Sequence, residues 1–214
     1  MRFDETAAAL DGIPFTGVEQ GRVLYDWVVE NEPTDILEIG TFHGVSACYL
    51  AAALQELGTG KVVTIDKEHS KDRDPSVLGL ADTLGLHEHI QPIFAERSFT
   101  WELWRMLDAD PRPQFDLVFH DAFHTWDVVG YGFFLTDKLL RPGGWMLFDD
   151  MYWTINHLPE EKRGARARYP AEERSIAAVG EAFRLLVREH PDYTGSRIDN
   201  DGQWGWARKR PRSD

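Results

Sequence analysis

The chain has 214 residues, 43% of them hydrophobic, which suits one domain with a sizeable core. Its formal net charge of −13 would repel phosphate backbones, so we expect no nucleic-acid partner. No apolar stretch approaches the span of a bilayer, and the N-terminus lacks a signal-peptide pattern. Cys48 is the only cysteine and permits no internal disulfide, so we expect a soluble cytoplasmic protein.

Strand-like apolar runs alternate with helical patterns from about residue 35 onward. The predicted strands are short apolar runs that cover residues 36–39, 61–66, 90–94, 115–120 and 145–148. The predicted helices between them cover residues 45–57, 75–84, 99–107 and 125–140, and Pro142-Gly143-Gly144 breaks the chain before the fifth strand. This alternation predicts an α/β fold of βαβ units, a mostly parallel sheet with helices on both faces.

The pattern changes after Asp150. Residues 151–171 are polar and partly basic, and they predict an exposed lid or insertion. A helix is predicted over residues 172–189, followed by two strands, 193–198 and 203–208, joined by a tight turn at 199–202. The sequence therefore predicts a single domain over residues 1–214, with residues 1–33 forming a helical cap and an antiparallel hairpin ending the sheet.

The first predicted strand runs through a glycine turn into a helix, with the sequence Glu38-Ile39-Gly40-Thr41-Phe42-His43-Gly44. Ligands of open α/β sheets bind beyond the carboxyl ends of strands, near helix N-termini. Gly40 permits a tight turn, and Gly44 lets the helix start lie close to a ligand. A purely structural turn explains the glycines equally well, and the Gly-x-x-x-Gly spacing disfavours a dinucleotide-binding dehydrogenase.

Asp66 ends the second predicted strand. An isolated Asp at a strand end is usually a turn residue or a helix cap. Following this glycine turn, however, its carboxylate is placed to accept the two hydroxyl protons of a ribose. The combination favours a nucleoside ligand.

Three carboxylates follow the fourth and fifth predicted strands, Asp121 after one and Asp149-Asp150 after the other. If the strands are neighbours, these anions converge and repel one another unless a cation lies between them. Mg²⁺ or another hard divalent cation would satisfy them. The alternative is that one or two of these acids are helix caps or solvated loop residues.

His124 follows Asp121 by three positions, where a side chain that titrates near neutral pH can accept a proton. The alternative is a structural histidine before a helix cap at Thr125. Four aromatic residues nearby are candidates for a pocket that takes a small organic molecule, although some of them must simply be core. They are Phe123, Trp126, Tyr152 and Trp153.

The segment Leu37-Glu38-Ile39-Gly40-Thr41-Phe42-His43-Gly44-Val45-Ser46-Ala47 resembles the first motif of catechol-type O-methyltransferases and of the related sugar O-methyltransferases of macrolide biosynthesis. The resemblance runs from about Gly17 to Asp150, and more loosely to the end. It implies the Rossmann-like class I methyltransferase fold, with strand order 3-2-1-4-5-7-6, and S-adenosylmethionine as cofactor. It places Glu38, Gly40 and Ser46 around the methionine part of the cofactor, and Asp66 at its ribose.

The cofactor residues implied by the resemblance are Glu38, Gly40, Phe42, Gly44, Ser46, Asp66, Lys67, Glu96, Arg97 and Ser98. The last three belong to the run Ala95-Glu96-Arg97-Ser98, at the position where the family binds adenine. Relatives tend to carry a shorter Gly-Asp-Ser-like or Gly-Ala-Ser-like run there, so this part of the chain departs from the pattern.

The resemblance also assigns the catalytic residues. Metal-dependent members carry an acid after the fourth strand and an Asp-Asn or Asp-Asp pair after the fifth, which matches Asp121, Asp149 and Asp150. Close relatives place a Lys or His general base at the position of His124, so the catalytic pair would be Asp121 and His124. The N-terminal segment through Trp27 corresponds to a region that forms dimer contacts or a cap in relatives, which makes a homo-oligomer an expectation.

These features predict an O-methyltransferase that acts on a hydroxyl of a small metabolite of secondary metabolism, with a divalent metal orienting and acidifying the acceptor. Two alternatives remain open at this point. One is a metal-independent N- or O-methyltransferase. The other is a protein of this fold that binds S-adenosylmethionine without methyl transfer.

Overall fold

The architecture comes from a computed structural model that describes residues 3–122, 124–199 and 203–212. The strands, in chain order, are β1 Asp35–Ile39, β2 Lys61–Lys67, β3 Ile90–Ala95, β4 Phe115–His120, β5 Leu140–Phe148, β6 Tyr193–Asp199 and β7 Trp204–Lys209. The helices are α1 Phe3–Leu10, α2 Val18–Asn31, α3 Val45–Leu57, α4 Val77–Leu84, α5 Phe99–Asp108, α6 Trp126–Asp137, α7 Arg163–Arg166, α8 Ala171–Ser175 and α9 Ala178–Ala182.

The sheet has the strand order β3-β2-β1-β4-β5-β7-β6, which confirms the predicted fold class. β1 to β5 run parallel, and β7 pairs antiparallel with both β5 and β6. The order reverses direction at β1, which has β2 on one side and β4 on the other. Ligands of open α/β sheets bind at such a switch point, so the topology directs attention to the carboxyl ends of β1 and β4.

Alternate side chains of each strand enter opposite layers of the core. Ile36 of β1 packs with α1 to α4, whereas its neighbour Leu37 packs with the layer that contains α5, α6 and α9. α3 is the most deeply buried helix, because its Ala-rich face lets it lie close to the sheet. Cys48 on this helix is fully buried, as expected for a small core residue.

Two boundaries differ from the sequence prediction. α6 ends at Asp137, and β5 begins at Leu140, so Pro142-Gly143-Gly144 lies within the strand and does not precede it. The pairing of β4 with β5 changes register between Phe115 and Leu117, which accommodates this irregular run. The residue pattern missed this because Pro and Gly are normally excluded from strand interiors unless pairing is locally disrupted.

The single helix predicted over residues 172–189 is divided into α8, α9 and a turn of π-helix, Phe183–Val187. Ile176 separates α8 from α9 because its backbone is extended (ψ 131°). The apolar residues Val179, Phe183 and Val187 are buried, whereas Ile176 is 40% exposed. Residues 200–202, which contain the predicted hairpin turn, lie outside the described residues.

A cap is predicted over residues 1–33 and a lid over residues 151–171, and both remain predictions. The first contributes α1 and α2, of which α2 packs closely against α3. The second consists of short helical turns and is mostly exposed, although Met151 and Ile155 are buried. No helix in the described part of the chain has the length and apolar character needed to cross a membrane.

Candidate active site

Gly40, which directly follows β1, lies against the residue that directly follows β4. Its φ is +104°, and a Cβ at this position would lie 1.9 Å from the carbonyl oxygen of Asp121. The Asp121 N–H donates to the carbonyl of Ile39 (2.8 Å), and the Gly40 N–H donates to that of Ile65 (2.9 Å). Only glycine fits here, and the absence of its side chain lets the turn after β1 lie directly against the acid after β4.

Asp66, at the end of β2, is held by three backbone donors. Its Oδ2 accepts the N–H groups of Thr41 (3.2 Å) and Phe42 (2.7 Å), and its Oδ1 accepts that of Lys67 (2.7 Å). Two of the donors belong to the glycine turn, so the carboxylate and the turn form one unit. An ionised carboxylate offers about four lone-pair sites, so Asp66 keeps capacity for further donors such as ribose hydroxyls.

Glu38 lies beneath the turn and is fully buried. Its carboxylate accepts hydrogen bonds from the hydroxyls of Ser46 (2.6 Å) and Thr64 (2.5 Å). Burial raises the pKa of Glu38 to about 7, although these two hydrogen bonds act in the opposite direction. Glu38 and Ser46 are therefore bonded to each other, and they connect the turn to the start of α3.

The remaining predicted cofactor residues in or near the turn are Gly44, Phe42 and Lys67. Gly44 has φ +88°, and a Cβ there would lie 2.6 Å from the side chain of Val77. Phe42 has φ +49° and packs against His43, whose Nδ1 lies 2.6 Å from the carbonyl oxygen of Pro75. Lys67 is exposed beside Asp66.

The predicted adenine segment follows β3, at the edge of the sheet next to β2. Glu96 and Arg97 are exposed, and Ser98 is half-buried at the start of α5. The hydroxyl groups of Ser98 and Thr100 are hydrogen-bonded at 2.8 Å. The segment thus lies at the same carboxyl edge as the glycine turn and Asp66.

The acids after β4 and β5 form a cluster beside the turn. The backbone N–H of Asp149 donates to the carbonyl of His120 (3.0 Å), and that of Asp150 donates to Oδ1 of Asp149 (2.8 Å). Burial raises the pKa of Asp121 well above its usual range, and the charges of Asp149, Glu38, Asp150 and Asp66 add to this. Burial followed by the charge of Asp150 raises the pKa of Asp149 to about 6.

His124 lies against this cluster, as its position in the sequence predicts. Its Nε2 is 3.3 Å from Oδ2 of Asp150 and 4.0 Å from Oδ1 of Asp121. The angles do not complete a hydrogen bond, and Nε2 is a buried atom with no partner among the described residues. Burial lowers the pKa of His124 while Asp150 opposes this shift, so the imidazole is neutral near pH 7.

The predicted metal ligands Asp121, Asp149 and Asp150 are brought to one edge of the sheet. Within residues 3–122, 124–199 and 203–212, no group of three His, Cys, Asp or Glu side chains is arranged to hold a metal ion. The side chains of Asp121 and Asp150 remain 28% and 33% exposed, so both can still be reached from solution.

The candidate substrate side of the cluster is partly aromatic. Trp153 packs against His124 (ring centroids 5.2 Å), whereas Trp126 and Tyr152 are 42% and 58% exposed. Phe123 lies outside the described residues. A small cavity beside His124, which the sequence did not reveal, is lined by residues from α5, α6, α9 and the ends of β4 and β5. They are Phe99, His120, Ala122, Val128, Val129, Phe148 and Val179.

His120 contributes to packing and is not part of the acid cluster. It stacks on Phe148 (ring centroids 4.8 Å, planes 4° apart), and its Nε2 lies 2.8 Å from the hydroxyl of Thr136. Burial lowers the pKa of His120 to about 3, so it stays neutral.

Comparison with protein families finds a match to the methyltransferase domain over residues 37–151, which is more than half of the chain. Comparison with curated proteins finds no significant match. Among solved structures, the O-methyltransferase TomG of Streptomyces achromogenes, involved in tomaymycin synthesis and solved with SAM, has a TM-score of 0.66 and 23% identity. The alignment covers 97% of this chain and 89% of that one.

Two further solved structures are similar. The O-methyltransferase of Bacillus cereus in complex with SAH has a TM-score of 0.67 and 20% identity, with coverage of 97% of this chain and 88% of that one. A methyltransferase of Podospora anserina bound to SAH has a TM-score of 0.68 and 19% identity, with coverage of 99% and 88%. At these identities the likeness concerns the fold.

Proposed function

The chain belongs to the methyltransferase domain family, and we propose that it transfers the methyl group of S-adenosylmethionine to a hydroxyl oxygen of a small molecule. The observation that carries this proposal is the contact of Gly40 with Asp121. Through it, a nucleoside-type site at the turn after β1 adjoins a cluster of acids with a neutral histidine. Solved structures of similar fold include O-methyltransferases in complex with SAM or SAH, which supports the proposal of methyl transfer to oxygen.

The cofactor site would be formed by the turn after β1 and by the ends of β2 and β3. Asp66 is presented by backbone donors of the turn and would accept the ribose hydroxyls. Glu38, Ser46, Gly40 and Gly44 would shape the side that receives the methionine part. Phe42, Lys67, Glu96, Arg97 and Ser98 would border the nucleoside.

The proposed reaction is an in-line displacement at a sulfonium methyl group, which the bound cofactor supplies. The acceptor oxygen would form the new O–CH₃ bond as the S–CH₃ bond breaks, and the electron pair of the broken bond would remain on the sulfur of S-adenosylhomocysteine. The hydroxyl proton would pass to Nε2 of His124, a buried nitrogen with no hydrogen-bond partner among the described residues. A neutral imidazole is the form that can accept this proton.

We propose further that Asp121, Asp149 and Asp150 hold a divalent cation such as Mg²⁺, which would polarise and orient the acceptor oxygen. The donor set fits a hard cation in its chemistry, because burial and the neighbouring negative charges raise the pKa values of Asp121 and Asp149, and a positive charge would relieve this repulsion. Small side-chain rotations would be needed, since the described side chains form no ready ligand group.

A metal-independent transfer is the second candidate, and one observation favours it. Nε2 of His124 already lies between Asp121 and Asp150, at 4.0 and 3.3 Å, where a cation would otherwise sit. The protonated imidazole formed during transfer would then be stabilised by the acids themselves.

The function is tested by incubating the protein with S-adenosylmethionine labelled in its methyl group and with small catechols, vicinal diols, isolated alcohols and amines. We expect label to appear on an acceptor oxygen together with stoichiometric S-adenosylhomocysteine. Label that stays bound and is never turned over would contradict the proposal and favour a binding protein. Label on nitrogen acceptors alone would contradict the O-methyl assignment.

A further inference from the structure

Two side chains outside the motifs contact the glycine turn, Phe15 from the segment between α1 and α2, and Arg73 from the segment between β2 and α4. Both act on Phe42. The Phe15 ring meets the Phe42 ring edge to face, with centroids 4.5 Å apart, and the guanidinium carbon of Arg73 lies 3.6 Å from the Phe42 centroid. Three separate parts of the chain therefore meet at one ring.

The backbone of Phe42 links this ring to the nucleoside-type site. Its N–H donates to Oδ2 of Asp66 at 2.7 Å, the shorter of the two bonds from the turn to that oxygen. Any movement of the ring that rotates the Phe42 backbone would therefore shift the donor that orients the Asp66 carboxylate.

The backbone geometry indicates that these contacts hold Phe42 in a conformation it would not otherwise favour. Phe42 has φ +49° and Phe15 has φ +89°, both in the region that bulky residues rarely adopt. Such residues persist only where surrounding contacts hold them, and they concentrate at ligand sites. Phe15 is 76% exposed, so its contact with Phe42 is what fixes its ring, rather than burial in the core.

Arg73 is held in place by stacking. Its Nε is buried and has no hydrogen-bond partner among the residues that the structure describes. Buried polar atoms are normally hydrogen-bonded, so burying Nε of Arg73 without a hydrogen bond costs free energy. A planar guanidinium stacks on an aromatic face in a way that a lysine cannot, which identifies the contact with Phe42 as the compensating interaction.

We propose that Phe15 and Arg73 are positioning residues for the cofactor: they hold Phe42, and through its N–H the Asp66 carboxylate, in the arrangement that receives the nucleoside half. The inference rests on the proposed function, since it presumes that S-adenosylmethionine binds at this turn. It assigns to the segment between α1 and α2 an indirect part in cofactor binding, exerted through Phe42.

The experiment is calorimetry with two probes, S-adenosylhomocysteine and adenosine. We expect Arg73→Met and Phe15→Ala each to raise the Kd for both probes about tenfold. Both probes contain the nucleoside half, and both substitutions remove a contact with Phe42, whose N–H orients the Asp66 carboxylate that would bind this half. The matched control is Arg22→Met, which removes a guanidinium that lies 3.4 Å from the Phe3 centroid and pairs with Asp4 and Asp26. This control should leave both Kd values unchanged.

A double-mutant cycle tests whether Arg73 acts through Phe42. In a Phe42→Ala background, Arg73→Met should cause no further loss. An undiminished loss there, or unchanged Kd values in the single variants, would overturn the inference while leaving the proposed function intact. Where Phe42→Ala fails to fold, Arg73→Lys keeps the charge without the planar stack and should still weaken binding. Wild-type protein that binds neither probe would overturn the proposed function, and the inference with it.

Discussion

At the scale of single residues, His124 is the candidate for proton transfer. It is partly buried against Trp153, close to two acids, and this burial keeps it neutral near pH 7. We expect His124→Asn to lower kcat about 10²- to 10⁴-fold, the usual contribution of a general base, with little change in the Kd for S-adenosylhomocysteine. Steady-state kinetics and calorimetry check this. The same substitution at exposed His87 is the control, and equal activity in the two variants would exclude His124 as the base.

Glu38 provides a second test, through the pH dependence of stability. Burial raises its pKa from 4.5 to about 7 in the folded state, so the folded protein binds this proton more tightly than the unfolded chain. The contribution of Glu38 to stability is therefore fully present below pH 4.5 and is lost as the pH rises through 7. The loss should amount to about 3 kcal/mol.

Urea denaturation at pH 5 and pH 8 measures this contribution. We expect Glu38→Gln to reduce the difference in free energy of unfolding between the two pH values by about that amount. The same substitution at exposed Glu88 should leave the wild-type pH dependence intact. A Glu38→Gln variant with the wild-type pH dependence would show that the buried carboxyl has an ordinary pKa.

At the scale of elements, the packing of the β1 turn against the end of β4 depends on Gly40. We expect Gly40→Ala to be strongly destabilising, by more than about 3 kcal/mol, because its Cβ would overlap the Asp121 carbonyl. Gly58, which caps α3 with φ +72°, is a matched control because a Cβ there meets nothing within 4 Å. Gly58→Ala should lower the free energy of unfolding only by the cost of placing alanine in a left-handed backbone conformation, about 1 to 2 kcal/mol.

Chemical denaturation of the two variants separates overlap from backbone strain. Gly40→Ala protein that folds should also bind S-adenosylhomocysteine much more weakly than Gly58→Ala, since the turn must move away from β4. Equal stability and equal binding in the two variants would contradict the close contact between Gly40 and Asp121.

At the scale of the whole molecule, the acid cluster exists only because β4 and β5 are neighbours. For the metal-assisted mechanism we expect methyl transfer to be lost in excess EDTA and restored by Mg²⁺, with binding of S-adenosylhomocysteine unchanged. Asp149→Asn should weaken the response to Mg²⁺. Full activity in EDTA would exclude metal assistance and leave the mechanism in which His124 and the acids act alone.

Much of the fold could be predicted because it depends on local patterns. The alternation of apolar runs with helical segments identifies five parallel strands, and the turn from Glu38 to Gly44 marks the end of the first. The divided helix after Ala171 and the start of β5 at Leu140 could not be predicted in this way. At the first place the backbone leaves the helical conformation at Ile176, and at the second the pairing of β4 with β5 is irregular, so neither boundary follows from local periodicity.

For the site, the sequence alone determined which residue types follow each strand, and the family resemblance implied the order of the strands in the sheet. Together they predict that five residues lie at a single edge of the sheet, namely Asp66, Asp121, His124, Asp149 and Asp150. Only the tertiary structure decided how they interact. Desolvation raises the pKa values of Asp121 and Asp149 and lowers that of His124, and desolvation depends on all the surrounding atoms. The contacts of Phe15 and Arg73 with Phe42 likewise join segments far apart in the chain, and no local pattern encodes them.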